Sequence, residues 1–174
     1  MWKKCYPDHY APSAYRIPYR KLYEKGYRGI LFDIDNTLVR HNAPADEKSI
    51  RLISELKGIG FQVMIVSNNK EPRVQSFCEK VGCGYVYKAG KPCKRGYLEA
   101  MKRMQTNPTD TIFVGDQIFT DTLGAKFLGI LTYLVQPIHK KEEIQIILKR
   151  IPEKWILNEY LQTHQLEEEP EDYL

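Results

Sequence analysis

Short apolar runs alternate along this chain with longer stretches whose apolar positions recur at helical spacing. Runs at Gly29–Asp33, Gln62–Ser67, Gly84–Tyr87, Thr111–Val114 and Leu131–Leu134 read as strands. Between them, Asp46–Lys57, Glu71–Lys80, Arg95–Gln105 and Ile118–Phe127 read as amphipathic helices. Asp46 suits an N-cap, and Gly58, Gly60, Gly82 and Gly129 fall near helix ends. This alternation predicts an α/β fold: a parallel sheet with helices on both faces. A further amphipathic segment, Lys140–Lys149, carries Ile144, Ile147 and Leu148 on one face, and 153–163 is expected to form one more helix. Residues 1–27 lack a clean period and are broken by Pro7, Pro12 and Pro18, so they read as a lead-in with a short helix near Arg20–Lys25. The expected division is a lead-in over 1–27, a main domain over 28–150, and a helix with an acidic tail over 151–174.

Composition narrows the class. At 174 residues, with 43% apolar and 28% charged, the chain can fill one core and is not expected to be disordered. No run approaches a membrane-spanning length and no signal-peptide pattern is visible, so a cytoplasmic protein is expected. Cys5, Cys78, Cys83 and Cys93 show no C-x-x-C spacing, which argues for free thiols rather than zinc. The net charge of +4 conceals a division. Lys3, Lys4, Arg16, Arg20, Lys21, Lys25 and Arg28 make the first 28 residues basic, whereas Glu167–Asp172 reads as a solvated, mobile acidic tail.

The first strand ends in Asp33-Ile34-Asp35-Asn36-Thr37. Two carboxylates two residues apart are costly to bury while ionised. A metal ion or a reacting phosphate would resolve the cost, although a capped turn uses the same residue types. The wider pattern decides between them, because ligands of open parallel sheets bind at the carboxyl ends of the strands. Ser67-Asn68-Asn69 ends the second strand, Lys91 follows the third, and Gly115-Asp116…Asp121 ends the fourth. Together these suit phosphoryl transfer, which needs positioned cations and donors. Asp33 can act as nucleophile, forming an aspartyl-phosphate. Asp35 can protonate the leaving oxygen and then deprotonate water. Ser67, with Asn68 beside it, can bind a phosphate oxygen, and Lys91 can neutralise phosphate charge and restrain the nucleophile. Asp33, Asp116 and the Asp35 backbone carbonyl suit Mg²⁺, with Asp121 completing the acidic shell through water.

These four clusters resemble the four motifs of the haloacid dehalogenase (HAD) superfamily, over about Gly29 to Leu134. The resemblance implies a Rossmann-like sheet of about five strands in the order 5-4-1-2-3, with Mg²⁺-dependent chemistry through an aspartyl-phosphate. An Asp two residues after the nucleophile resembles the phosphatase branches. Leu38–Phe61 and Asn69–Ala89 leave no room for a cap domain, which resembles the capless subfamily III. Within it, the motifs look most like the YqeG-type subfamily IIIA phosphatases, a group related to mitochondrial phosphatidylglycerophosphate phosphatases.

An open site suits a large phosphorylated substrate: a lipid head group, a phosphoprotein or a nucleic-acid end. Trp2, Tyr6, Tyr10, Tyr15, Tyr19, Tyr23 and Tyr27 lie among the basic residues of the lead-in. That mixture fits weak peripheral contact with the inner face of an anionic membrane through residues 1–28. It equally fits stacking on nucleic acid or tyrosines packed on the domain. Three functions follow: a phosphatidylglycerophosphate phosphatase, a phosphatase of a sugar phosphate, nucleotide or phosphoprotein covered by a neighbouring subunit, or a weakly active interaction protein. The intact set Asp33, Asp35, Lys91 and Asp116 argues against the last. Oligomeric state is not encoded in any of these patterns.

Overall fold

The computed structural model describes residues 3–139 and 144–164. Its sheet has six parallel strands, ordered β1-β6-β5-β2-β3-β4. They are β1 (His9–Ala11), β2 (Gly29–Phe32), β3 (Gln62–Val66), β4 (Gly84–Val86), β5 (Thr111–Gly115) and β6 (Leu131–Val135). The five strands legible in the sequence take the expected order, and β1 is the addition. It pairs with β6, His9 beside Tyr133 and Ala11 beside Val135. Three residues are too short to display a period, and their partner lies at the other end of the chain. Hence only the tertiary structure reveals this strand.

Alternation along each strand builds two cores. Ile30, Phe32, Val63, Ile65, Ile112 and Val114 face one side of the sheet, where they meet α1 (Tyr19–Glu24), α2 (Glu47–Ile59) and α3 (Glu71–Val81). Leu31, Met64, Val66 and Phe113 face the other, against α4 (Lys94–Met104) and α5 (Leu123–Lys126). Asp46 caps α2 as its position predicts, its carboxylate accepting the Ser49 N–H at 2.8 Å. Between β2 and β3 the chain holds only α2, and between β3 and β4 only α3, so no cap domain is inserted there.

Two helix expectations are corrected. Ile118–Phe127 is not one helix: a π-helical turn over Ile118–Thr122 precedes the short α5. The two predicted C-terminal segments form a single helix, α6 (Ile144–Thr163), which runs through Pro152. Its inner face explains why the proline does not end it. Ile156 and Tyr160 are buried against Cys5, Tyr10, Ile118 and Leu134, and the Glu153 carboxylate accepts the Phe119 N–H at 3.0 Å. Residues 140–143 and the acidic tail lie outside the described residues, as does Trp2.

The lead-in tyrosines pack inward. Tyr10 and Tyr19 are buried, Tyr15, Tyr23 and Tyr27 lie half-buried on the main core, and Tyr6 meets Tyr160 edge-on at 5.5 Å. Lys4, Arg16, Arg20, Lys21 and Lys25 remain exposed. Deleting residues 1–16 removes β1 and Tyr10, and losing one large buried aromatic alone costs about 3–5 kcal/mol. The expected result is a melting temperature lower by roughly 10 °C and a loss of activity shared by all substrates, soluble ones included. An unchanged melting temperature would show that these contacts contribute little.

Candidate active site

All six strands run the same way, so their carboxyl ends share one edge of the sheet. Asp33 follows β2, Ser67 follows β3 and Asp116 follows β5, three adjacent interior strands. Lys91 comes from the loop beyond β4 and is drawn back by a reciprocal clasp. Its N–H donates to Asn68 Oδ1 at 2.8 Å, and Asn68 Nδ2 donates to its carbonyl at 3.1 Å. The side chain of Asn68, expected from the sequence to face a phosphate, is thus engaged with this loop. Ala89 N also donates to the Ser67 carbonyl at 3.0 Å. The Lys91–Pro92 peptide is cis.

Lys91 occupies the centre of the site. Nζ donates at 2.7 Å to Asp33 Oδ1 and at 2.7 Å to Asp121 Oδ1. Burial lowers the pKa of this amine, but the two carboxylates raise it, and the net direction is upward. Asp33 is pushed up to about 6, first by burial, against the opposing pull of Lys91 and with a further upward push from Asp121 and Asp35. Both partners of one ion pair therefore move upward, which the geometry explains: a single ammonium faces two buried carboxylates and cannot fully compensate both.

Asp33, Asp116 and Asp121 each bring a carboxylate oxygen within 4.8 Å of the others. The set is hard, anionic and buried, as a divalent cation requires. Thr37 Oγ1 donates to Asp116 Oδ1 at 3.2 Å and Gln117 N donates to Asp121 Oδ2 at 3.1 Å, so both carboxylates are oriented from outside the cluster. The close approach of Asp121 depends on Gly115, where a Cβ would fall 2.4 Å from its Oδ2. The π-helical turn that begins two residues after Asp116 carries Asp121 back to that position.

The Asp35 carboxylate stands apart from this cluster. It accepts Asn42 N at 2.9 Å, Asn69 Nδ2 at 2.5 Å and Arg73 Nη2 at 2.9 Å. Of the expected ligand set, Asp35 could therefore contribute only its backbone carbonyl. Ser67 is buried, and its Oγ accepts Asn69 N at 3.2 Å while its hydroxyl proton can still be donated. The sequence pattern did not single out Arg73, Asn42 or Asn69 as partners of Asp35. Arg73 lies in the first turn of the helix after Ser67-Asn68-Asn69, and that placement was the available signal.

Two cavities of about 630 and 510 Å³ flank β4 and do not include the carboxylate cluster. A smaller slot of about 150 Å³ borders Asp116. Its walls are largely apolar, including Tyr10, Ile118, Leu134, Val135 and Leu157, with Lys154 at its margin.

Residues 42–129 match the family model of haloacid dehalogenase-like hydrolases. The chain is 37% identical over 160 residues to a probable phosphatase, YqeG, of Bacillus subtilis (strain 168), covering 91% of this chain and 93% of that protein. It is 27% identical over 142 residues to phosphatidylglycerophosphate phosphatase 1 of Arabidopsis thaliana, covering 75% of this chain but only 40% of that one. Among solved structures, the cobalt-bound deoxy-D-mannose-octulosonate 8-phosphate phosphatase of Haemophilus influenzae has the same fold. It matches with a TM-score of 0.54 at 16% identity, over 80% of this chain and 91% of that one. An HAD phosphatase from Thermococcus onnurineus matches with a TM-score of 0.52 at 13% identity, over 72% and 97%.

Proposed function

The chain belongs to the haloacid dehalogenase-like hydrolase family, and from that premise we propose that it is a Mg²⁺-dependent phosphomonoesterase working through an aspartyl-phosphate on Asp33. The observation that carries this reading is the buried cluster of Asp33, Asp116 and Asp121 around the Lys91 ammonium. Asp33, Asp116 and the backbone carbonyl of Asp35 would hold the cation, with Asp121 in its outer shell. Bound Mg²⁺ would offset the charge of the phosphate and of the nucleophile.

The chain's own groups then divide the work. Lys91 steadies the Asp33 carboxylate at 2.7 Å and presents positive charge to the transferring group. Ser67 Oγ–H and the Asn68 backbone N–H bind phosphate oxygens. Asp33 Oδ attacks phosphorus, and the bond to the leaving oxygen breaks as Asp35 delivers a proton to it. Asp35 then takes a proton from water, which attacks the aspartyl-phosphate and releases inorganic phosphate. Asn42, Asn69 and Arg73 orient the ionised Asp35 carboxylate that takes the proton from water, and one of these donors must release an oxygen when Asp35 carries the proton to the leaving group.

Asp35→Asn separates the two halves of this cycle. The variant is expected to accept a phosphoryl group from an aryl phosphate with a good leaving group and to release it at least about a hundredfold more slowly. Intact-mass measurement would then find phosphate on Asp33. Normal turnover of alkyl phosphates by this variant would remove Asp35 from the role.

Cation binding also has an expected pH dependence. The ligand is the Asp33 carboxylate, whose pKa of about 6 means that the carboxyl is protonated below that value. Cation binding must then displace a proton, so affinity is full above about pH 6 and weakens up to about tenfold per unit below it. Calorimetric titration of Mg²⁺ across this range measures it without any substrate, and a pH-independent affinity would show that no proton is displaced from Asp33 on binding.

For the substrate we favour a lipid phosphate such as phosphatidylglycerophosphate. The largely apolar slot beside Asp116 supports this, as does the activity for which the Arabidopsis thaliana relative is named. With the lead-in aromatics turned inward, contact with an anionic lipid surface would rest on the exposed lysines and arginines of residues 1–28. The test is a panel of phosphate monoesters with Mg²⁺, including the lipid in mixed micelles, glycerol phosphate, sugar phosphates, nucleotides and phosphopeptides. Lipid turnover should exceed glycerol phosphate turnover at least about tenfold, the worth of one or two buried methylenes. Preference for a soluble ester would replace the lipid assignment while leaving the phosphatase intact.

A further inference from the structure

Two cysteines meet at the end of the sheet opposite the site. Helix α3 ends at Val81, and Gly82 turns left-handed with φ 74° and ψ 44°. Gly82 N and Cys83 N both donate to the Cys78 carbonyl, at 2.8 and 3.2 Å. This is a Schellman-type helix stop, which brings into contact the side chains three positions before and two after the helix end. Both positions are cysteine here. The neighbouring Cys83 thiol, ahead of burial, pushes the Cys78 thiol up. Cys83 directly precedes β4, whose first residue, Gly84, pairs with Met64 of β3, so the pair lies away from Asp33 and Ser67. Cys78 is buried and Cys83 half-buried, and both line the 510 Å³ cavity together with Lys57 and Glu79.

We propose that Cys78 and Cys83 form a redox-active dithiol, a modification site that a small-molecule disulfide closes to a Cys78–Cys83 bond through this cavity. The backbone bond between the two residues keeps their Cα atoms near the separation a disulfide needs, about 4.4–6.8 Å. The more accessible Cys83 attacks as thiolate on one sulfur of the oxidant, RSSR. Its S–S bond breaks, one RS⁻ leaves and is protonated, and a mixed disulfide remains. Cys78 then loses its proton to solvent and attacks the Cys83 sulfur, expelling the second RS⁻. Two protein thiols are oxidised by two electrons, and RSSR is reduced to two RSH. The closed loop is short, so its entropic contribution to global stability is smaller than that of a disulfide closing a long loop. The expected consequence is local: the last turn of α3 becomes fixed to the start of β4.

The test uses the full chain with Cys5→Ser and Cys93→Ser, which leaves the two thiols in question. Oxidised glutathione is added, remaining thiols are alkylated, and intact mass and peptide maps are recorded. The expected product is lighter by two hydrogens, resists alkylation and yields a Cys78–Cys83 cross-linked peptide. Adding Cys78→Ser should halt the reaction at one glutathione attached to Cys83. Because Cys78 is buried and this replacement could unfold the chain, phenylarsine oxide supplies an independent measurement on the dithiol form. One arsenical per chain should survive desalting and be released by a competing small dithiol. Overturning results are two alkylatable thiols after oxidation, accumulation of the mixed disulfide with Cys78 still present, or no retained arsenical.

Discussion

Replacing Asp33 with Asn is expected to lower phosphate ester hydrolysis at least about a thousandfold, the largest effect of any single substitution in this chain. The amide lacks the charge and the lone-pair basicity to attack phosphorus. It also weakens cation binding, because Asp33 is one of three carboxylates whose oxygens converge within 4.8 Å. The fold should survive. Asp33 follows β2 rather than lying within it, its backbone N–H bonds to the Val114 carbonyl at 3.0 Å, and Asn preserves the side-chain volume. Steady-state rates on an aryl phosphate, a melting curve and Mg²⁺ titration calorimetry separate chemistry, fold and binding. Retention of more than a few per cent of the rate by a folded variant would assign the nucleophile elsewhere.

Lys91→Met is expected to be the most destabilising single substitution in the site. The Lys91 side chain is 3% exposed and bonds both Asp33 and Asp121 at 2.7 Å. Methionine fills similar space but leaves the buried carboxylates of Asp33 and Asp121 without their cation, a change that typically costs about 3–5 kcal/mol. For a chain of this length that is a melting temperature lower by roughly 10 °C. The pH dependence follows from Asp33. Its carboxyl, at about 6 in the wild type, takes up a proton as pH falls and removes one of the uncompensated charges. The stability deficit should therefore be larger at about pH 8 than at about pH 5. Millimolar Mg²⁺ should recover part of it at the higher pH, since another cation then faces the same carboxylates. A melting temperature within about 2 °C of wild type at both pH values would mean that the ion pairs contribute little net stability.

The sequence by itself determined the frame. Apolar runs at helical and strand spacing placed the five principal strands, and their carboxyl ends carried Asp33, Ser67, Lys91 and Asp116 in order. Such features are local, because burial on both faces of a parallel strand demands continuous apolar residues and the turn after each strand demands polar ones. What sequence could not supply depends on contacts between distant residues. The pairing of His9–Ala11 with β6, the inward packing of the lead-in tyrosines and the insertion of Glu153 beside Phe119 have no local signature. The assignment of each carboxylate is the clearest case. Asp33 and Asp35 are chemically alike and two residues apart, and the sequence names no partner for either carboxylate. Tertiary packing placed Lys91 and Asp121 against the first, and Asn42, Asn69 and Arg73 around the second. The chain's spacing brought two carboxylates to one strand end, and the partners delivered by other strands and helices gave them different surroundings.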